Sequence, residues 1–447
     1  MSELRRTLTR GDLIFAVIGN VIGSGIFLVP AATLRSAGGS TTSALFVWVL
    51  GGVLCLLGAL TYAELGAANP EAGGIYCHIR DAFGQLPAFL YGWVLFLIIG
   101  PATVAALTVA SVAYLGEFIT LTATGTRVAA IAMILLIGAI NVGGARESAN
   151  VQNVSAATKG GALILLSGIL IALGKFDVFG TTSGAGMGVG VGVAPSLFSG
   201  VGAAMVGVLW AYEGWQWVTF SAGETRDPQR AFPVGLVVGT AVLIAIYVLV
   251  NVAYFMALGP QAAASSQSIA ADAVAATLGP GWGKTVAAMV VLATFSAAHS
   301  SVLTVPRVFY QMARDGLFFR KLAEVHPRYG TPAWAIVSTT LLSAAFALSG
   351  TFDQLLTCVV FTAWIFYGMG AMSIFVFRRR APDLQRVFTV PGYPLTPALF
   401  VGASLAVVAN TFFTQPVISA VGLVVLLAGV PVYHLWRRRN VAPPPLA

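Results

Sequence analysis

An acid and an amine stand in apolar runs where an ion is costly. Glu213 lies in Leu209-Trp210-Ala211-Tyr212-Glu213-Gly214-Trp215-Gln216-Trp217, and Lys159 in Ala156-Ala157-Thr158-Lys159-Gly160-Gly161-Ala162. Both runs are long enough to cross a bilayer, which takes about 20 residues. An acid at the centre of such a helix costs about 2.5–3.5 kcal/mol on insertion scales, so it marks a functional site by default. Glu213 has two readings. It caps the second half of a helix broken near Tyr212–Gly214, where the dipole favours negative charge, or it sits in or beside a ligand site. Lys159 also has two. It snorkels to the inner interface, or it is an ammonium held between helices in place of a coupling cation and able to exchange a proton. On helix eight, His299, Ser300, Ser301 and Thr304 either line an ion or Lys159 site or bond back to their own helix. Arg307, near the inner end of that helix, is expected to face the cytoplasm.

The third candidate is backbone chemistry. Gly23-Ser24-Gly25 interrupts the apolar run Leu13–Ala32, just after Gly19 and Asn20. Glycine costs roughly 1 kcal/mol relative to alanine inside a helix. In lipid, a broken helix survives only where protein or an aqueous cavity covers the freed N–H and C=O groups. Those N–H groups can hold a carboxylate, and those C=O groups an ammonium or a cation. A small-molecule site near the bilayer midplane is one reading; a glycine seam for close helix packing is the other. Trp210, Trp215 and Trp217 either pack in the core or shut a pocket.

These stretches need helices to position them. The 447 residues are 57% hydrophobic and 9% charged, with a mean hydropathy of +0.87, which describes a polytopic membrane protein. About twelve helices are predicted, near 12–35, 41–66, 86–117, 127–144, 152–173, 195–223, 233–259, 281–313, 332–349, 353–377, 395–414 and 416–436. The first reads as a retained helix rather than a signal peptide. Arg35, Arg127, Lys175 and Lys284 fall in outer loops, Lys159 and Arg307 within helices, and every other Lys and Arg in inner loops or tails. That asymmetry puts both termini in the cytoplasm and accounts for the net charge of +8 without nucleic acid. The arginine runs 378–380 and 437–439 are expected to anchor topology at the inner leaflet. Three scattered cysteines and four unpaired histidines suggest no disulfide framework, metal site or cofactor. The glycine-rich stretch 180–193 reads as a flexible outer loop rather than a dinucleotide loop, having no preceding strand.

Interruptions in helices one and six fall at matching positions of two halves, five helices apart and therefore of opposite orientation. That is the sequence pointer to a secondary-transporter site. A channel would show a filter repeat or a charged ring, and an enzyme paired acids, a metal motif or a nucleophile with its base; neither is visible. An amino-acid-binding membrane sensor shares these features.

Four stretches together resemble the amino acid–polyamine–organocation superfamily, most of all its L-type amino acid transporter branch. They are Gly19-Asn20-Val21-Ile22-Gly23-Ser24-Gly25-Ile26-Phe27; Tyr62-Ala63-Glu64-Leu65-Gly66 with Gly73-Gly74-Ile75-Tyr76 and Ala82-Phe83-Gly84; Trp210 to Trp215 with Gly223-Glu224 and Asp227-Pro228; and Ala313 to Leu317 with Val325 to Pro332. The resemblance implies an all-α membrane fold with a five-plus-five inverted repeat of the leucine-transporter type. Residues 12–173 form the first repeat and 195–377 the second, joined by an outer loop at 174–194. Helices eleven and twelve (378–436) follow, with cytoplasmic tails at 1–11 and 437–447.

It also implies alternating access for an amino acid, neutral in the first reading and cationic or a polyamine in the second. The substrate site would comprise Val21, Ile22, Gly23, Ser24, Gly25 and Ile26 with Trp210, Ala211, Glu213 and Gly214. The carboxylate would meet Ser24, Gly25 and Ile26, and the ammonium the carbonyls near Val21, Trp210, Ala211 and Glu213. Trp210 and Trp215 are the gate candidates, with Trp210 matching an aromatic that covers substrate from outside. Lys159, with Ser300 and Ser301, would stand in for the ion of sodium-driven relatives, so transport would be an exchange or a proton symport. The loop from Gly73 to Gly84 would carry a short helix that helps close the inner gate. A bacterial plasma membrane and no obligatory accessory subunit are expected.

Overall fold

A computed structural model of the chain describes residues 6–178, 197–349 and 352–440. The glycine-rich stretch 180–193 and the proline-rich tail 442–447 lie outside them. The described residues are helical apart from short connections and one isolated β-bridge, Leu8 with Thr225.

In chain order the helices are α1 Arg10–Val21, α2 Gly25–Ser36, α3 Thr41–Ala68, α4 Ile75–Phe83, α5 Gln85–Val94 and α6 Gly100–Leu115, the last two fused through a π-helical turn. They continue with α7 Ala123–Val142, α8 Ala145–Leu173, α9 Leu197–Ala211 and a 3₁₀ segment Trp215–Glu224. After these come α10 Pro228–Ser265, α11 Ile269–Leu278, α12 Gly283–Thr304, α13 Pro306–Arg314, α14 Ala333–Ser349, α15 Phe352–Arg380, α16 Leu395–Thr414 and α17 Pro416–Asn440. Among the described residues nine spans are long and apolar enough to cross a membrane, and the bent pair α1–α2 makes a tenth. The pair α9–3₁₀ and the shorter α14 occupy the two remaining positions of the predicted twelve.

The breaks have local causes. Helix α1 stops at Val21 because Ile22 turns to extended backbone (φ −70°, ψ 94°), and α2 restarts at Gly25 at an angle of 51°. Helix α9 stops before Gly214, whose φ of +113° is left-handed backbone that a side chain would strain. A Cβ there would also lie 3.0 Å from Asn20 Cβ, so the glycine brings the second break against the first.

Packing repeats with the order of the helices. Exchanging the first five spans for the next five maps the α3–α10 and α6–α12 contacts onto themselves, α1–α8 onto α9–α15, and α6–α14 onto α7–α12. Short helices α4 and α11 follow the second span of each half. An inverted repeat has this pattern.

Two expectations change. The fifth helix begins at Ala145 rather than near 152, so Lys159 lies fourteen residues in, roughly 20 Å along the axis. Gly144 supplies the start, with left-handed-side φ of +149°. Arg307 does not face water. It is fully buried, with Nε 2.8 Å from Glu224 Oε2 and Nη2 3.1 Å from Glu224 Oε1. The carboxylate at the end of the 3₁₀ segment lets the guanidinium stay inside, and removing one partner of such a pair costs about 3–5 kcal/mol.

Further ion pairs gather at the same basic end. Asp12 accepts from Arg146 Nη1 (2.7 Å) and Asn153 Nδ2 (2.5 Å), joining α1 to α8. Arg80 on α4 reaches Glu71, Asp81 and, at 2.7 Å, Asp315. Of the arginine run 378–380, expected to anchor topology, Arg378 and Arg380 are engaged within the protein. Arg378 and Arg386 both bind buried Glu64, and Arg380 caps α4 through the Asp81 and Ala82 carbonyls.

Candidate functional site

The two breaks face each other and enclose a narrow cavity of ≈ 320 Å³, counting the open space at its mouth. Helix one contributes Asn20, Val21, Gly23, Ser24 and Gly25; helix six contributes Trp210, Glu213 and Trp217. Thr103 and Leu107 of α6 and Ser301 of α12 complete the wall. The close approach depends on small residues: a Cβ on Gly25 would lie 2.6 Å from Ala211 Cα, so α2 and α9 touch through their backbones. Asn20, Ser24 Oγ and Thr103 Oγ1 line this space as buried polar groups without a protein partner. Buried polar groups are ordinarily hydrogen-bonded, so a cluster left open marks where a ligand or water belongs.

Lys159 is buried, 2% exposed, and its amine reaches the broken end of α1. Nζ donates to Gly19 O at 2.8 Å and Ile22 O at 2.6 Å, with Ala293 O of α12 at 3.4 Å. A helix end leaves its last carbonyls without intrahelical donors, and its dipole favours a cation there. An ammonium has three N–H groups, and here three carbonyls surround it. Snorkelling is excluded by that geometry. Ser300 and Ser301 do not meet the amine: Ser301 Oγ bonds back to Ala297 O while lining the cavity, and Ser300 Oγ is buried without a partner.

Glu213 is buried and faces the cavity. Its Oε1 accepts from Gln216 Nε2 (2.8 Å) and from Tyr367 Oη, whose own oxygen accepts from Trp217 Nε1 at 3.1 Å. Both donors are side chains, so capping by backbone N–H groups is not what the carboxylate does.

Tyr247 of α10 ties the breaks together. Its Oη lies 3.0 Å from Val21 O and 2.9 Å from Ala211 O, so its one proton serves one of the two carbonyls at a time. Trp210 O already accepts from Glu213 N at 3.0 Å. Each carbonyl keeps a second lone pair for an ammonium.

The structure separates the sequence candidates. Val21, Gly23, Ser24, Gly25, Trp210 and Glu213 line the cavity. Ile22 turns its carbonyl to Lys159, Ile26 is fully buried outside the cavity, and Ala211 and Gly214 form the contacts between the breaks. Trp215 is a correction: it packs between Tyr62 and Phe400, 5.7 and 6.0 Å between ring centroids, and does not line the cavity. Trp217, two residues on, does. Tyr247, Tyr367, Thr103 and Leu107 carried no sequence signal, being ordinary residues of apolar helices. Asn20 had one, as a polar residue beside the first break.

A family model described as amino acid permease matches residues 8–432. The chain is 32% identical over 436 residues to the serine/threonine exchanger SteT of Bacillus subtilis (strain 168), covering 96% of this chain and 97% of that one. It is 31% identical over 449 residues to the human cystine/glutamate transporter, covering 97% and 86%. It is 31% identical over 437 residues to the mouse Asc-type amino acid transporter 1, covering 95% and 80%. With the two facing breaks, and with a match along almost its whole length, the chain belongs to the amino acid permease family, and it is a multi-pass membrane transporter of amino acids.

Proposed function

We propose that the protein is a secondary active carrier of neutral L-amino acids that works by alternating access, independently of sodium, as an exchanger or a proton symporter. The observation that carries this reading is the pair of facing breaks with Lys159 fixed at the end of α1. The substrate carboxylate binds the N–H groups and hydroxyl at Ser24 and Gly25, at the start of α2, where the dipole favours an anion. The ammonium binds the remaining lone pairs of the Val21 and Ala211 carbonyls. Lys159 supplies a fixed positive charge where a cation would otherwise satisfy the carbonyls of α1, so sodium has no work to do there. Trp210 and Trp217 bound the substrate on two sides.

The division into repeats 12–173 and 195–377, with the basic end and both termini in the cytoplasm, belongs to the same reading. So do a bacterial inner-membrane location and action without an accessory subunit. The polar wall and the name of the serine/threonine exchanger among the relatives support small substrates. A second reading, carriage of cationic amino acids or polyamines, is favoured by one feature only, the Glu213 carboxylate in the cavity wall.

The test is uptake of a labelled amino-acid panel into vesicles that contain the purified protein and are loaded with unlabelled amino acid, in sodium and in choline buffers. The expected result is saturable uptake of serine-sized neutral amino acids at equal rates in both buffers. A sodium requirement, or uptake confined to polyamines, contradicts the proposal.

A further inference from the structure

We propose that the segment Phe318–Lys321, with the end of α17 and the start of α14, forms a binding site for the headgroup of an anionic phospholipid. The inference rests on the transporter reading above, with the basic end of the fold at the inner leaflet, since that is what brings headgroups to this level.

The segment follows α13 and is fastened across helix ends by its own side chains. Phe318 meets Phe96, in the π-helical turn between α5 and α6, at 5.0 Å between ring centroids, and Trp436 of α17 at 6.0 Å. Phe319 stands edge-on to the same Trp436 at 4.7 Å. Lys321 holds its Nζ 3.9 Å from the ring centre of Trp334, at the start of α14. The result is a ledge that reaches from α17, which packs on α5, to α14, which packs on α6. Its rings are not closed into the core. Phe319 is 53% exposed and Trp334 44%. Trp436 is half-buried, and its indole N–H meets no acceptor among the described residues. Tryptophan at the ends of membrane spans sits at headgroup level, its ring against glycerol and chain.

Three exposed cations edge the ledge: Arg320, Lys321 and Arg437. No ion pair among the described residues includes any of them. Glu324 is the one acid between Asp315 and Trp334, and it pairs with none of the three. Elsewhere at this end the protein neutralises its own arginines: Arg80, Arg146, Arg307 and Arg378 each hold a carboxylate. Uncompensated cations beside bare rings suit a ligand that is anionic at one end and apolar at the other. A phosphodiester gives the guanidinium groups acceptor oxygens, and the potential of an anionic leaflet draws each cation to it. A zwitterionic headgroup would bring an ammonium against the same three cations. A soluble anion would leave the rings bare.

The test is lipid binding by the purified, delipidated protein in detergent, read by melting temperature and by mass spectrometry of the intact protein. The titrants are phosphatidylglycerol, phosphatidylcholine and glycerol 3-phosphate. The wild-type protein is expected to bind phosphatidylglycerol at least tenfold more tightly than phosphatidylcholine and to melt several degrees higher with it. Glycerol 3-phosphate is expected to do neither. Arg320→Gln with Lys321→Gln and Arg437→Gln is expected to bring the two lipids within threefold of each other. Arg320→Lys with Lys321→Arg and Arg437→Lys is expected to keep the tenfold preference. Arg6→Gln with Arg226→Gln and Arg230→Gln removes as many exposed charges ahead of α1 and at the start of α10, and is expected to keep it too. Phe319→Ala leaves every charge in place and is expected to weaken phosphatidylglycerol binding several-fold. Equal binding of the two lipids by the wild-type protein overturns the proposal. So does the same loss in both glutamine triples, which would make the preference one of overall charge, and so does unchanged binding by Phe319→Ala. A shift from glycerol 3-phosphate equal to that from phosphatidylglycerol overturns the lipid as occupant. None of these readouts needs transport, so a protein that passes them all but exchanges no amino acid contradicts the transporter reading alone.

Discussion

Lys159 Nζ donates to the Ile22 carbonyl at 2.6 Å, across the gap between the fifth helix and the first. An amine that is costly in an apolar helix thus satisfies carbonyls that a broken helix leaves without donors. Each residue makes the other tolerable at membrane depth.

Lys159→Met keeps the length of the side chain and removes the donors. The Gly19 and Ile22 carbonyls at the end of α1 then lose this donor together, at about 1–3 kcal/mol for each buried group left unsatisfied, whereas Ala293 O keeps its donor within α12. Exchange is expected to fall at least tenfold, with expression and detergent elution unchanged. The check is the initial rate per reconstituted molecule; a wild-type rate would make the lysine a bystander.

Gly25→Ala places a methyl 2.6 Å from Ala211 Cα, a clash with backbone that cannot turn aside. Substrate affinity is expected to drop at least tenfold. Gly161→Ala on α8 meets nothing within 4 Å and is expected to leave affinity within twofold. Binding measured by thermal-shift titration separates the two.

Trp217 and Trp215 are expected to part company. Trp217 lines the cavity, so Trp217→Ala raises the KM for exchange several-fold. Trp215 packs on Tyr62 and Phe400 away from it, so Trp215→Ala lowers stability, by about 3–5 kcal/mol for a buried aromatic. A KM change in the Trp215 variant without a lower melting temperature would place that ring at the substrate.

Glu213→Gln keeps an oxygen for Tyr367 and Gln216 and removes the charge. Competition by lysine or arginine against labelled serine is expected to weaken several-fold more than competition by alanine. Equal effects on all competitors would show that the carboxylate does not read charge.

His78 on α4 is fully buried, and burial pushes its imidazole down to about 4 from the usual 6.5. The unfolded chain therefore binds a proton at pH values where the folded one does not, so stability falls as pH drops below 6.5 and levels off below 4. At pH 5 the loss is about 2 kcal/mol, from 1.36 kcal/mol per pK unit. His78→Phe is expected to remove that share of the acid sensitivity. Melting curves at pH 7 and 5 for both proteins check it; an unchanged difference would mean that His78 is not the group.

The breaks were legible because glycine and serine in an apolar run are costly without a purpose, and Glu213 and Lys159 because charge there is costlier still. Their partners were not. Tyr367, Tyr247 and Trp217 are aromatic residues in apolar helices, indistinguishable from core until the fold sets them beside a carboxylate or two carbonyls. Trp215 and Trp217 sit two residues apart, and only the 3₁₀ winding after Gly214 decides which meets the cavity. Arg307 was misread because its partner Glu224 is 83 positions away. The early start of α8 was missed because Arg146, Glu147, Asn150 and Asn153 look like loop, whereas Arg146 and Asn153 are held by Asp12.

The central claim is that the two breaks form the amino-acid site of a carrier. It is tested most directly by labelled serine entering vesicles loaded with unlabelled serine, with wild-type protein and with Ser24→Leu, whose side chain fills the break. The account expects saturable entry with the wild-type protein and none above protein-free vesicles with Ser24→Leu. Equal entry with both proteins would contradict it.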